Sequence, residues 1–122
     1  MGISVSNRKQ EKLLIYKEVR DRGAQWLLNH MNDDGSLGNP EEGFRFYRAP
    51  WTFTQVGATD AAAAICGWIR REMYTTDGDF RGPFRVFKDA YAYRNATLIV
   101  GAHMAGQYDL SLGALQFLKS WQ

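Results

Sequence analysis

The sequence predicts an all-α protein built of stacked helical hairpins, and three observations predict it. Apolar residues recur at helical spacing over four stretches. No stretch alternates apolar and polar residues as a half-buried strand does. One phrase of residue types also returns: "QWLLNHMNDDGSL" at 25–37 is echoed by "GWIRREMYTTDGDF" at 67–80. Each copy opens on an aromatic–aliphatic pair (Trp26-Leu27, Trp68-Ile69) and continues to a methionine (Met31, Met73). Asp-Gly follows (Asp34-Gly35, Asp77-Gly78), with an apolar residue two positions past the glycine (Leu37, Phe80).

The elements follow in order. Helix one is predicted over 8–31, where Leu13, Tyr16, Val19, Arg20, Gly23, Trp26, Leu27 and Met31 fall near one stripe. "RDRG" at 20–23 is a candidate interruption, because Gly inside a helix costs about 1 kcal/mol. Asn32-Asp33-Asp34-Gly35 ends the helix with turn formers. Residues 35–54 read as a long irregular passage carrying Phe44, Arg45, Phe46, Tyr47, Arg48, Trp51 and Phe53. Long loops of this kind are often functional. Helix two is predicted over 56–74, with Ala61, Ile65, Trp68, Ile69 and Met73 along one side. Its first half is nearly all small residues, which let a second backbone approach closely or leave room for a cavity. A second loop covers 75–88. Helix three covers 89–105, with Ala92, Ala96, Ile99, Val100 and His103 on a stripe, and Gly106-Gln107-Tyr108 breaks it. Helix four starts near Asp109 or Ser111, either of which caps free N–H groups, and runs to the end through Leu112, Leu115 and Leu118.

Composition narrows the function classes. A chain of 122 residues is one domain. The net charge of +2 comes from scattered basic residues, not from the stripe that nucleic acid requires, so no nucleic-acid partner is expected. Cys66 is the single cysteine, so no internal disulfide forms. No segment reaches the apolar length of a membrane span. The start "MGISVSNRKQEK" has no signal-peptide core, and a cytoplasmic location is expected. "MGISVS" fits the short, common N-myristoylation pattern.

The phrase occurs a third time in part, as "GALQFLKSWQ" at 113–122, which places aromatic anchors at 26, 68 and 117. Spacings of 42 and 49 indicate stacked helical hairpins. Together with "GAQWLLNHMNDDGSLG" and the looser "GWIRREMYTTDGDF", this resembles the QW-type repeat of the terpenoid cyclase and protein prenyltransferase α/α-toroid superfamily. Met31 and Met73 stand where that motif has Gln. The resemblance implies a partial α/α toroid of about four helices, too few to close the ring. It would be completed by self-association or by the remainder of a longer chain. The residues alone also allow four helices to close on themselves as a bundle.

The resemblance further implies ancestral enzymatic activity on an apolar isoprenoid-like or a carbohydrate substrate, lost or dormant in an isolated partial ring. The acid motif of the cyclase branch is not intact, since Asp77-Gly78-Asp79-Phe80 lacks the final pair and lies in a turn that the repeat explains. The zinc ligands of the prenyltransferase branch have no counterpart around Cys66, so neither a metal nor another cofactor is expected. The catalytic candidates are Asp60, which opens the Ala-rich helix and would face a cavity with Tyr47 and Trp51, and His103. Arg45, Tyr47, Trp51, Tyr93 and Arg94 are the substrate-binding candidates, because aromatic rings with guanidinium groups suit sugar rings, isoprenoid cations or a protein partner. The bland readings are first-turn placement for Asp60, a hydrogen-bonded structural role for His103, and a packing role for the aromatic loop. His30, near a helix end, is expected to bond the carbonyls there. The alternative function is a non-catalytic binding or assembly module that uses loop 44–54 and exposed helix faces.

Overall fold

Five helices make up the regular structure of the computed structural model, which describes residues 5–40, 47–81 and 90–120. They are α1 (Val5–Asn29), α2 (Ala49–Gln55), α3 (Thr59–Glu72), α4 (Tyr91–Met104) and α5 (Tyr108–Ser120). Among the described residues there is no strand, only two isolated antiparallel bridges. The all-α prediction is correct. Gly23 does not interrupt α1, which runs for 25 residues. The irregular passage 35–54 is corrected, because its end is the helix α2. At seven residues α2 is too short to show a 3.6-residue period. Its signal was Pro50 in the first turn, where a missing N–H costs nothing.

The two bridges expose the repeat. Met31 pairs with Leu37, and Tyr74 with Phe80, each partner 43 positions after its counterpart. The backbone bonds agree: Gly38 N to His30 O and Arg81 N to Met73 O are both 2.9 Å, and Gly35 N to Asn32 O and Gly78 N to Thr75 O are both 3.0 Å. The phrase is therefore in register one residue away from the sequence alignment, with Met31 matching Tyr74 rather than Met73. The extra residue between Met73 and Asp77 shifts it. The later half repeats at 49 positions. Ala58 N to Phe53 O and Gln107 N to Ala102 O, both 2.8 Å, close equivalent turns at Gly57 and Gly106. The chain is thus two copies of one unit, each a helix end, an Asp-Gly turn and a helical hairpin.

Glycine is needed in the Asp-Gly turns for two reasons. Gly35 and Gly78 have φ of 90° and 92°, a region open to glycine and strained for other residues. A Cβ on Gly35 would stand 2.4 Å from the Ala64 carbonyl oxygen, and one on Gly78 would stand 2.4 Å from the Gly113 oxygen. Each turn is pressed onto the backbone of the second helix after it, and Ala64 and Gly113 are themselves 49 positions apart. This is the close approach that the small residues of helix two anticipated. Gly113 also clears the Tyr74 hydroxyl, which would lie 2.0 Å from a Cβ there.

The core sits between α2, α3, α4 and α5. The predicted stripe of helix two is correct: Ala61, Ile65, Trp68, Ile69 and Met73 are all buried. Burial of Ile65 and Ile69 stabilises by about 1.5–3 kcal/mol each. The stripes of helices three and four are corrected. α4 buries Asn95, Thr97, Leu98, Gly101 and Ala102 and leaves Val100 and His103 exposed. α5 buries Leu110, Ser111 and Ala114, while Leu112 and Leu115 stay on the surface. Close backbone approach selected the small residues for these contacts: a Cβ on Gly101 would stand 2.7 Å from the Trp51 backbone nitrogen. α1 has no buried residue, and Leu13, Tyr16 and Val19 of its stripe are exposed. Only Leu27, Leu28 and the adjoining Met31 pack partly on the core. The repeated aromatic is not equivalent in surroundings, for Trp26 is 55 % exposed and Trp68 is 5 % exposed.

Two alanine substitutions separate the roles of the glycines. Gly57 has φ of 78° with nothing near its Cβ position, so Gly57→Ala is expected to cost about 1 kcal/mol, the left-handed penalty alone. Gly78→Ala adds a clash with backbone and is expected to cost about 2–4 kcal/mol. Urea unfolding of the two variants checks this; equal losses would contradict the close-approach account.

Candidate functional site

The end of α1, the turn that follows it and α2 enclose a cavity of about 290 Å³, lined by Trp26, Leu27, His30, Leu37, Arg48, Ala49 and Thr52. Leu37 and Ala49 form its buried floor, and Trp26, His30 and Arg48 are exposed. The Trp26 and His30 rings stack with centroids 3.9 Å apart. His30 Nδ1 lies 2.7 Å from the Trp26 carbonyl oxygen, the helix-end bond expected of it. Nδ1 therefore carries the proton and donates, because a carbonyl only accepts.

Arg48 joins this cavity to an aromatic cluster. Its Nη2 donates to the Tyr93 hydroxyl at 3.1 Å, and its guanidinium carbon lies 5.3 Å from the Tyr47 ring centroid. Tyr47 and Tyr93 meet edge to face at 6.0 Å. The buried Arg94 approaches Tyr47 to 5.8 Å. The Tyr93 hydroxyl raises the Arg48 pKa further, and no carboxylate pairs with Arg48 among the described residues.

Of the predicted binding residues, Tyr47, Tyr93 and Arg94 are brought together. Trp51 lies one turn along α2 from Tyr47, 42 % exposed and outside the cavity lining. Arg45 lies outside the described residues. The catalytic candidates are not brought together. Asp60 is exposed in the first turn of α3, beside open grooves shared with Asp33, Asp34, Ala63 and Ala64 and with Leu28 and Gly57. Among the described residues, Tyr47 and Trp51 do not line those grooves, so there they do not share a cavity with Asp60. Asp109, its counterpart 49 positions later, accepts two bonds from Arg70, at 2.7 and 2.8 Å, which lower its pKa. His103 is exposed and bonds Ser111 Oγ at 3.1 Å, a clip between α4 and α5. Burial pushes the Cys66 thiol up to about 11, which removes it as a nucleophile near neutral pH. Among the described residues no group of three metal-ligating side chains occurs, and no helix is long and apolar enough to cross a membrane.

The sequence reading missed what makes the cavity, which is a difference between the two repeats. In register, Trp26, His30 and Leu37 correspond to Ile69, Met73 and Phe80. Ala49 and Thr52 correspond to Leu98 and Gly101. Ile69, Met73, Phe80 and Leu98 are all buried members of the core. The first repeat puts smaller or more polar residues at three of these places: Phe becomes Leu, Leu becomes Ala and Met becomes His. The signal lay in the sequence, but it needed the correct register to be read.

A second polar cluster is structural. Asp79, buried in the turn after α3, accepts bonds from Phe80 N at 2.8 Å, Arg81 Nε at 3.0 Å, Asn95 Nδ2 at 3.3 Å and the Tyr91 hydroxyl. Every one of these ties the turn to itself or to α4. Compared with protein-family models, curated proteins and solved structures, the chain shows no significant match to any.

Burial, then the bond to Asp79, raises the Tyr91 pKa from 10.0 to about 12. Because the folded value lies above the unfolded one, the stabilisation is complete below pH 10 and is lost as pH rises toward 12. Tyrosinate absorbance is expected to show one phenol ionising near pH 12 that is absent in Tyr91→Phe. Titration of every tyrosine near pH 10 would contradict the arrangement.

Proposed function

We propose that the protein is a non-catalytic binding module of the helical-repeat type, and that the cavity between α1 and α2 receives an apolar small molecule. One observation carries this: the counterparts of the lining residues in the second repeat, Ile69, Met73, Phe80 and Leu98, are all buried in the core. An unfilled core position loses dispersion contacts and costs stability. The first repeat bears that cost beside an exposed tryptophan and an arginine that has no carboxylate partner among the described residues, a combination suited to a ligand. Two stacked copies of one hairpin support reading the chain as a segment of an α/α toroid of the cyclase and prenyltransferase type. With Asp60 and His103 apart on exposed surfaces, such a segment serves binding rather than reaction.

Filling the cavity tests the reading. The combined variant His30→Met, Leu37→Phe and Ala49→Leu places the second repeat's residues at three of the five aligned lining positions, leaving Trp26 and Thr52. It is expected to be more stable by about 0.5–2 kcal/mol and to lose saturable binding of the neutral dye Nile red. Unchanged dye binding with unchanged stability would remove the cavity from consideration.

Self-association is a second reading, favoured by one observation. Leu115 is 44 % exposed, whereas Cys66, its counterpart 49 positions earlier, is fully buried by the following hairpin. A second copy packed on α5 would cover Leu115 as the following hairpin covers Cys66. Light scattering is expected to show a concentration-dependent dimer that Leu115→Glu abolishes; a monomer at all concentrations would rule it out.

A further inference from the structure

We infer that the ligand of the α1–α2 cavity is an amphipathic monocarboxylate: an apolar chain with one carboxylate at its end. The inference rests on the binding-module reading and adds the ligand's chemistry to it. The floor at Leu37 and Ala49 is buried and apolar, so an apolar chain enters there, along the Trp26 ring. At about 290 Å³ the cavity lies at the small end of ligand sites, which suits a chain of moderate length. The rim is where charge is decided. Arg48 lines the cavity and is exposed. Its described partners are two tyrosines, and neither neutralises it. The Tyr93 bond and the Tyr47 ring hold the guanidinium in place, so less side-chain freedom is lost when a ligand binds.

A planar guanidinium fits a planar carboxylate with two parallel N–H···O bonds. One positive group also matches one negative charge. The charged end stays at the wet rim while the chain fills the void that Phe80 and Leu98 fill in the second repeat. The carboxylates of Asp33 and Asp34 line a different groove and do not compete for Arg48.

Isothermal titration of the full chain with four eight-carbon probes tests this: octanoate, 1-octanol, octylammonium and octyl phosphate. Octanoate is expected to bind one per chain, roughly tenfold tighter than octanol, with octylammonium weakest. Arg48→Gln, at an exposed position, is expected to weaken octanoate roughly tenfold and leave octanol unchanged, with the fold checked by circular dichroism. Equal binding of octanoate and octanol, indifferent to Arg48→Gln, would overturn the carboxylate assignment and leave the cavity reading standing. Octyl phosphate binding more than tenfold tighter than octanoate would also overturn it. Failure of all four probes to bind the natural chain would remove both the ligand class and the cavity reading.

Discussion

The backbone of each Asp-Gly turn lies against the backbone of the second helix after it, α3 for Gly35 and α5 for Gly78, and the rest of the architecture depends on that approach. A Cβ at Gly35 or Gly78 would stand 2.4 Å from a carbonyl oxygen of α3 or α5. Such contact needs glycine on one side and a small residue on the other, here Ala64 and Gly113. It fixes how near each turn stands to that helix. It also holds the turn where its apolar residue, Leu37 or Phe80, drops into the core. Side-chain bonds fix each turn from within: Ser36 donates to Asp34, and Thr75 to Asp77. Both acids have lowered pKa values because their hydroxyl partners favour the charged form.

Two copies of one unit allow a comparison that a single copy does not. Where the second copy is filled by Phe80, Leu98 and Met73, the first has Leu37, Ala49 and His30. Protein interiors tolerate few voids, so a void at a place the fold is able to fill is a departure with a cost. The departure coincides with Arg48, Tyr47 and Tyr93, which converge from two segments 45 positions apart. The second copy spends its polar residues differently. Asp79 binds Tyr91, Asn95 and Arg81 and anchors the turn to α4, while its counterpart Ser36 serves only the turn itself. One copy is a brace, and the other is an opening.

Legibility in the sequence followed the strength of the local signal. The long helices were readable because period and breaker agreed, as in Ile65, Trp68 and Ile69 followed by Asp77-Gly78. α2 was hidden because seven residues carry no period. The outward face of α5 misled, because Leu112 and Leu115 are larger and more apolar than the Ser111 and Ala114 that pack inside. Hydropathy ranks residues by apolar area, while close helix contact selects for small size. Composition points to Tyr47, Tyr93 and Arg94, which lie together, while the convergence of Arg48 on the same rings has no signal along the chain. Asp60 drew attention by its position, yet lies on an open groove.

The sequence by itself determined the helical class, the positions of the Asp-Gly turns and the presence of a repeat, since these depend on backbone preference and on spacing along the chain. Only the tertiary structure decided the register of that repeat, which faces of α4 and α5 are buried, and that Trp26 and Trp68 have different surroundings. Those outcomes depend on how closely two backbones approach, a distance set by residues far apart in the chain. The cavity belongs to the same group. Leu37 and Ala49 are ordinary core residues until the second repeat, superposed in register, shows what volume they leave empty.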